Sequence, residues 1–118
     1  MSLVIALVML ADGGAEPVVG SGGLSKDVIQ KVINRHQTEV KFCYERELVE
    51  NPKLKGKVTV TFTVAPDGKV ASAEVASSDL TKTIDACITG RIKTWAFPPP
   101  QGGGVVTITF PWIFVPKD

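Results

Sequence analysis

The chain has 118 residues, a length that fits one domain built around one hydrophobic core. Its 13 basic and 12 acidic residues nearly cancel, so the positive surplus of a nucleic-acid-binding protein is absent and no nucleic-acid partner is expected. A hydrophobic content of 44% excludes a disordered chain.

Residues 1–23 are predicted to precede the folded domain. Leu3–Ala11 is an uninterrupted apolar run, too short to span a bilayer and not preceded by the Lys or Arg of a secretory signal. We expect a short strand or an association-prone apolar segment here, one that could pair with another chain. Residues 12–23 are rich in glycine and have the composition of a linker, so the domain is predicted over residues 24–116.

A long first helix is predicted after the linker. Ser25 is a suitable N-cap, Asp27 suits the positive end of the helix dipole, and Asn51-Pro52 ends the helix. Apolar residues recur at steps of three and four along it, which is typical of a helix with one buried face. The residues of this stripe are Ile29, Val32, Ile33, His36, Val40, Cys43, Tyr44 and Leu48.

A β-hairpin is predicted next. Apolar and polar residues alternate from Lys57 to Ala65, the pattern of a strand with one buried face. Pro66-Asp67-Gly68 is a turn sequence in which Gly can adopt the left-handed conformation. Lys69 to Val75 should return as the second arm, with a bulge to reconcile Val70 with the apolar residues that follow it on the opposite face.

A second helix is predicted after the hairpin. Ser78 or Asp79 would cap it and Phe97-Pro98 would end it. Residues of its buried stripe are Leu80, Ile84, Cys87, Ile88, Arg91, Ile92 and Trp95, with the charge of Arg91 pointing outward.

The chain closes on a strand. Three prolines from Pro98 and three glycines from Gly102 break any helix, and alternation resumes from Val106 to Phe114. Pro111 lacks an N–H and is tolerated in a sheet mainly at an edge or a bulge, so this strand is predicted to be an edge strand. The fold class is therefore α+β, with two helices on one face of a three-stranded antiparallel sheet in the order α-β-β-α-β.

Cys43 and Cys87 are the two cysteines, and their separation excludes a C-x-x-C redox motif and the paired spacings of zinc sites. They are either two unrelated buried thiols or one disulfide. We favour the disulfide because both lie on the apolar faces of predicted helices. Such a bond would indicate an oxidising compartment and stabilise the domain by roughly 4 kcal/mol.

No catalytic, metal-binding or cofactor-binding constellation is predicted, so the protein is expected not to be an enzyme. His36 is interpreted as a packed or surface-bordering side chain, and it lies two helical turns from Cys43, too far for both to bind one zinc ion. Asp67, Asp79 and Asp85 are interpreted as turn, cap and helix-surface residues. The glycines at 102–104 precede a strand and do not form a phosphate-binding loop.

Several short motifs, in this order, resemble the C-terminal domain of the AgmX/PglI type, a relative of the TonB C-terminal domain. The resemblance covers about residues 24–115. Its motifs are Cys43-Tyr44-Glu45, Gly56-Lys57-Val58-Thr59-Val60, Pro66-Asp67-Gly68-Lys69-Val70, Ser77-Ser78-Asp79-Leu80, Cys87-Ile88, Trp95-Ala96-Phe97-Pro98 and Gly103-Gly104-Val105-Val106.

The resemblance implies a TonB-like fold and a periplasmic location in a Gram-negative bacterium. The domain would end a protein anchored in the inner membrane by sequence upstream of this chain, in an envelope complex for energy transduction, transport or gliding motility. It also implies a disulfide between Cys43 and Cys87. TonB grips an extended peptide beside its last strand, which corresponds here to Val105–Val115.

The predicted function is therefore partner binding by strand addition at the last strand, with Val105, Thr107, Thr109, Pro111 and Ile113 as site residues. The expected partner is an extended segment of an outer-membrane or other envelope protein. The alternative is a structural or oligomerisation domain, including a homodimer paired through strand edges. Pro111 and the threonines could instead protect the edge from aggregation, and Leu3–Ala11 could occupy such an edge in a neighbouring copy.

Overall fold

A computed structural model describes residues 5–9, 18–19 and 23–117, with the backbone alone at 5–9, 18–19 and 117. The elements in chain order are β1 (Ile5–Met9), β2 (Val18–Val19), α1 (Lys26–Arg35), α2 (Gln37–Leu48), β3 (Gly56–Val64), β4 (Val70–Ser78), α3 (Lys82–Ile92) and β5 (Val106–Lys117). A short 3₁₀ turn at Gln101–Gly103 precedes β5.

The sheet is antiparallel and its described strands follow the order β1-β5-β3-β4, with β2 also paired to β5. β3 and β5 pair without a register shift from Gly56 opposite Phe114 to Val64 opposite Val106. The α+β class and the order helix, strand, strand, helix, strand are confirmed for the domain. β1 lies within the apolar run Leu3–Ala11, where a short strand was expected, and β2 lies within the predicted linker. Both add to the three strands of the predicted domain.

The predicted first helix is interrupted at His36, whose backbone (φ −108°, ψ 8°) leaves the helical region. Ser25 caps α1 as predicted, since its Oγ accepts a hydrogen bond from the Val28 N–H at 3.2 Å. The prediction of one continuous helix was wrong. A one-residue break leaves the three- and four-residue spacing almost unchanged, so the apolar stripe runs through it and conceals it.

The hairpin between β3 and β4 has the predicted turn and bulge. Gly68 has φ +90°, and a side chain there would place its Cβ 2.0 Å from the carbonyl oxygen of Phe97. The register shifts twice, between Thr59 and Val60 and between Thr63 and Val64. The residues passed over are Ala71 and Ala76 of β4, so Val70 and Ala73 both reach the core side.

The predicted cap of the second helix was wrong. Thr81 caps α3, and its Oγ1 accepts the Ile84 N–H at 3.1 Å. Ser78 and Asp79 lie before it: the Ser78 Oγ accepts the Leu80 N–H at 3.0 Å, and the Asp79 carboxylate accepts the Lys57 N–H at 3.1 Å. Ser78, Asp79 and Thr81 all have side chains that can cap a helix, so only the backbone geometry distinguishes them.

The core lies between the helices and one face of the sheet. α2 packs over β5 and β1, while α3 packs over β4 and β3. The inner face of the sheet is fully buried and matches the predicted alternation. Its buried residues on β3 and β5 are Val58, Val60, Phe62, Val64, Val106, Ile108, Phe110, Trp112 and Phe114.

The segment between α3 and β5 turns the chain back toward the start of the domain. Phe97 donates its N–H to the Gly68 carbonyl at 2.8 Å, and Gln101 donates its N–H to the Gly23 carbonyl at 2.9 Å. Gly102 and Gly103 have φ of +86° and +72°, which explains the need for glycine after the prolines. Within the ranges described, no helix is long and apolar enough to cross a membrane.

Candidate docking edge

The outer side of β5, away from β3, is the candidate site. Two segments from the N-terminus pair with it in antiparallel fashion. β1 runs from Ile5 opposite Lys117 to Met9 opposite Ile113, and β2 places Val18 opposite Thr109 and Val19 opposite Ile108. The outer side of β5 therefore accepts added strands, and in this chain the added strands come from its own N-terminus.

The prediction that β5 is an edge strand was wrong for this chain, because β5 has neighbours on both sides. The sequence pattern of β5 describes its own faces and carries no information on what pairs beside it. The expectation of a short strand in Leu3–Ala11 is confirmed for Ile5–Met9, the part of that run that the structure describes. This strand pairs with β5 of the same chain, whereas the sequence left open an edge in a neighbouring copy.

Pro111 lies between the two stretches of β5 that the described N-terminal strands cover. The two pairings leave residues 110–112 between them, and Pro111 is at the centre. Pro111 is opposite Thr59 in the ladder with β3, which continues on both sides of it. Proline has no N–H, so a partner strand that paired with residues 110–112 would receive one backbone hydrogen bond fewer.

The side chains of the predicted site residues lie on the face of the sheet opposite the helices. Thr107, Thr109, Pro111 and Ile113 are all half-buried there, and the Thr109 Oγ1 lies 3.0 Å from the Thr61 Oγ1 on β3. Val105 precedes the strand and is 47% exposed. The chemistry this edge offers is that of backbone N–H and C=O groups, flanked by small polar and apolar side chains.

The inner face of β5 is held by two indole hydrogen bonds to α2. Trp112 is fully buried and donates its Nε1–H to Gln37 Oε1 at 3.0 Å. Trp95 donates its Nε1–H to Glu39 Oε1 at 3.2 Å, and the His36 ring stacks on Trp95 with centroids 4.8 Å apart. The helix break at His36 lies beside these contacts. The stacking on Trp95 agrees with the interpretation of His36 as a packed or surface-bordering side chain.

Glu39 carries the charge of this cluster. Burial raises the pKa of its carboxyl, but hydrogen bonds from His36 and Trp95 outweigh burial, so that the pKa lies below its ordinary value. The His36 Nδ1 lies 2.6 Å from Glu39 Oε2. The carboxylate is therefore favoured over the neutral acid in the folded protein, and it links α2 to Trp95.

Tyr44 on α2 packs against the inner face of β5 near its C-terminal end. Its ring is fully buried against Phe114, with centroids 4.9 Å apart, and its hydroxyl donates to the Leu54 carbonyl. Burial raises the pKa of Tyr44 to about 12. The hydroxyl therefore stays protonated as a donor through the neutral range and well above it.

Cys43 on α2 and Cys87 on α3 form a disulfide, with an S–S distance of 2.05 Å and a Cα–Cα distance of 5.7 Å. The disulfide, which the sequence favoured over two unrelated buried thiols, is thus confirmed. Because α2 covers β5 and α3 covers β4, the bond joins the two halves of the helical layer.

The carboxylates of Asp67 and Asp85 have structural partners. Asp67 accepts the Lys69 N–H at 3.0 Å in the turn, and Asp85 accepts the Ser78 hydroxyl at 2.7 Å on α3. Among the residues that the structure describes, no three His, Cys, Asp or Glu side chains come together as a metal site would need.

Sequence reasoning missed Gln37 and Glu39. Both are polar residues beside an apolar stripe, which is the ordinary surface pattern of an amphipathic helix. A weak signal was present, since a buried tryptophan needs an acceptor for its N–H and the chain has two tryptophans predicted to be buried. The sequence does not show which acceptors reach them, because Glu39 and Trp95 are 56 positions apart.

Comparison with known proteins places this geometry in a family. The family model described as the Gram-negative bacterial TonB protein C-terminal matches residues 48–116. Tyrosine-protein kinase MasK of Myxococcus xanthus (strain DK1622) is 29% identical over 93 residues, a match that covers 75% of this chain and 14% of that protein. The chain thus spans about one seventh of the length of this curated relative.

A solved structure has the same fold. The NMR solution structure of the Helicobacter pylori TonB C-terminal domain superposes with a TM-score of 0.57 at 24% identity. The superposition covers 81% of this chain and 87% of that domain. The finer AgmX/PglI resemblance is not tested by these matches and stays a prediction.

Proposed function

The chain belongs to the family of Gram-negative bacterial TonB C-terminal domains, and from this premise we propose that it is a non-enzymatic periplasmic module that binds an extended partner segment by strand addition at β5. The partner is an extended segment of an outer-membrane or other envelope protein. The module ends a membrane-anchored protein that transmits energy across the envelope or takes part in gliding motility.

One observation carries this proposal: the outer side of β5 accepts two strands at defined registers. A strand that is fully buried on its inner face and paired without a shift to β3 offers a straight row of backbone groups on its other side. The absence of bulges matters because every bulge displaces the row and interrupts an added ladder.

The disulfide supports the periplasmic part of the proposal. Disulfides persist in oxidising compartments, of which the bacterial periplasm is one, and are rare in the cytosol. The bond joins α2 to α3, with Cys43 buried and Cys87 partly buried against the core, and it is not part of a C-x-x-C redox motif.

The test is a titration of the labelled protein with extended peptides from candidate outer-membrane proteins, followed by NMR. We expect the amide signals of Val106–Lys117 to shift while those of Val70–Ser78 on the far side of the sheet stay in place. A scrambled peptide of the same composition is the control. Shifts confined to residues outside β5, or none at saturating peptide, would reject strand addition at this site.

A matched pair of variants locates the contact. Ile113→Asp places a charge beside the outer side of β5, whereas Thr63→Asp places the same charge on the same face but on β3, which has strands on both sides. A cross-strand side-chain pair contributes up to about 1 kcal/mol, so Ile113→Asp should weaken peptide binding about fivefold and Thr63→Asp should leave it unchanged.

The second candidate is a structural or oligomerisation domain that pairs copies through strand edges. It is favoured by the position of β1, which ends the described strand order with β5 as its neighbour. Removing residues 1–12 and measuring the mass in solution tests it. A dimer that becomes a monomer supports pairing through β1, and a mass that is monomeric before and after contradicts it.

A further inference from the structure

We infer that β1 and β2 are an intramolecular competitor for the docking edge: they hold the outer side of β5 until a partner strand of similar chemistry displaces them. The inference rests on the proposed function, because it concerns the same edge. It assigns the N-terminal segment a role in regulating access, and it states what kind of strand can replace it.

The two N-terminal strands do not share one register on β5. Five residues of β1 pair with β5 at one end and two residues of β2 pair at the other. Continuing the register of β1 would bring Gly13 opposite Thr109, whereas Val18 is opposite Thr109. β1 and β2 therefore cannot belong to one unbroken ladder.

The neighbour on the other side of β5 is paired more extensively. β3 pairs with β5 at nine consecutive positions, and its inner side chains are fully buried in the core. β1 pairs at five positions and β2 at two, and α2 packs over β1. Displacing the two N-terminal strands would therefore free the outer side of β5 and uncover part of α2, while the ladder between β3 and β5 stays in place.

The residues that flank β2 are rich in glycine. Asp12-Gly13-Gly14 and Gly20-Ser21-Gly22-Gly23 flank β2, and glycine loses more backbone entropy on ordering than any other residue. The loss of backbone entropy for each residue pair that β1 and β2 form with β5 is therefore large. At the same time a short tether gives an effective concentration on the order of millimolar, so the segment still excludes weak partners.

The chemistry of the competitor defines the partner. β1 is Ile-Ala-Leu-Val-Met, an uncharged apolar strand without proline, and it runs antiparallel to β5. The structure thus points to an extended, uncharged, apolar segment of at least five residues that runs antiparallel to β5. A partner that pairs across residues 110–112 as well has an advantage that β1 and β2 lack.

The test uses the full chain and a probe made from its own sequence. The probe is a synthetic peptide of residues 3–11 with lysines added at both ends for solubility and a fluorophore for anisotropy. Leu7→Pro interrupts β1, because proline removes a backbone donor and disfavours a strand interior. Ala15→Pro, in the residues between β1 and β2, is the matched control.

We expect the probe to bind the Leu7→Pro variant about tenfold more tightly than the wild type, which corresponds to an edge open about one tenth of the time in the wild type. The Ala15→Pro variant should bind like the wild type. If the probe binds the Leu7→Pro variant and the wild type equally, or binds neither, the inference that β1 and β2 compete for this edge is overturned. Envelope peptides that shift β5 signals in the wild type would still support strand addition, so the two proposals can fail separately.

A locked variant provides an independent readout. Leu7 lies opposite Val115, and facing residues of an antiparallel pair are within the Cα separation of a disulfide. The double variant Leu7→Cys/Val115→Cys, once oxidised, should lose probe binding entirely, and undiminished binding would overturn the inference. A concentration-dependent dimer of the wild type that Leu7→Pro converts to a monomer would also overturn it, since β1 would then pair between copies.

Discussion

β3 has a different neighbour on each side. β5 pairs with it at nine positions without a shift, whereas β4 pairs with two shifts, at Ala71 and Ala76. β5 buries five large or branched side chains under the helices, and β4 buries only Val70 and Ala73. The outer side of β5 carries further strands, and β4 ends the described strand order on its side.

The difference teaches how one sheet can accept strands on one side and discourage them on the other. Bulges twist a strand and displace its backbone groups, so β4 is a poor template for a further strand. β5 has large buried inner side chains and an unshifted register with β3, so its outer backbone groups are not displaced by a bulge. The exposed Glu74 on β4 adds a charge that also disfavours edge pairing.

The disulfide connects these two sides through the helical layer. α2 lies over β5 and α3 lies over β4, and Cys43–Cys87 joins the helices. The docking edge therefore depends on a bond at the opposite face of the domain, since α2 also supplies the acceptors for Trp112 and Trp95.

The largest expected effect comes from removing the inner support of β5. Phe110→Ala should lower the free energy of unfolding by about 3–5 kcal/mol, because a fully buried aromatic ring leaves a cavity. Val75→Ala, a half-buried truncation on β4, should cost about 1 kcal/mol. Urea unfolding measures both, and equal losses would show that β4 contributes to the core as much as β5 does.

Removing the disulfide between α2 and α3 should lower the free energy of unfolding somewhat less. Cys43→Ala/Cys87→Ala should lower the free energy of unfolding by about 2–4 kcal/mol, because the bond closes a loop with a sequence separation of 44 residues. Amide exchange should quicken on both β4 and β5. Reducing the wild type is the control and should reproduce the loss; an unchanged stability in both experiments would contradict the role of the bond.

The smallest expected effect is a pH dependence under β5. The folded-state pKa of Glu39 is lowered, so its carboxylate stabilises the fold above the unfolded-state pKa of about 4.5, and this stabilisation is lost as pH falls through the folded-state value. The difference in unfolding free energy between wild type and Glu39→Gln should therefore shrink from pH 6 to pH 3.

Glu74→Gln is the control for that experiment, because Glu74 is exposed on β4. Its effect on the free energy of unfolding should stay within about 0.5 kcal/mol at neutral pH, as for most surface substitutions. A Glu39→Gln difference that is constant over the whole pH range would contradict the contribution of the ionised carboxylate.

Much of the fold was predictable because side-chain periodicity is local. The alternation in β3 and β5, the left-handed Gly68 and the bulge in β4 all follow from spacings of one to four residues. The break at His36 and the cap at Thr81 were not predictable in the same way. At the helix break, the Trp95 ring stacks on His36, which lies 59 positions earlier in the chain. At the start of α3, the polar residues near Thr81 were equally suitable as caps.

The sequence by itself determined the α+β class, the order of the domain's elements, the buried faces, the turn chemistry and the two cysteines available for a disulfide. Only the tertiary structure decided that the outer side of β5 is occupied, and that the chain's own N-terminus occupies it. The reason is that strand addition uses backbone N–H and C=O groups, which nearly every residue carries. Side-chain patterns therefore specify which face of a strand is buried, but not which strand lies beside it.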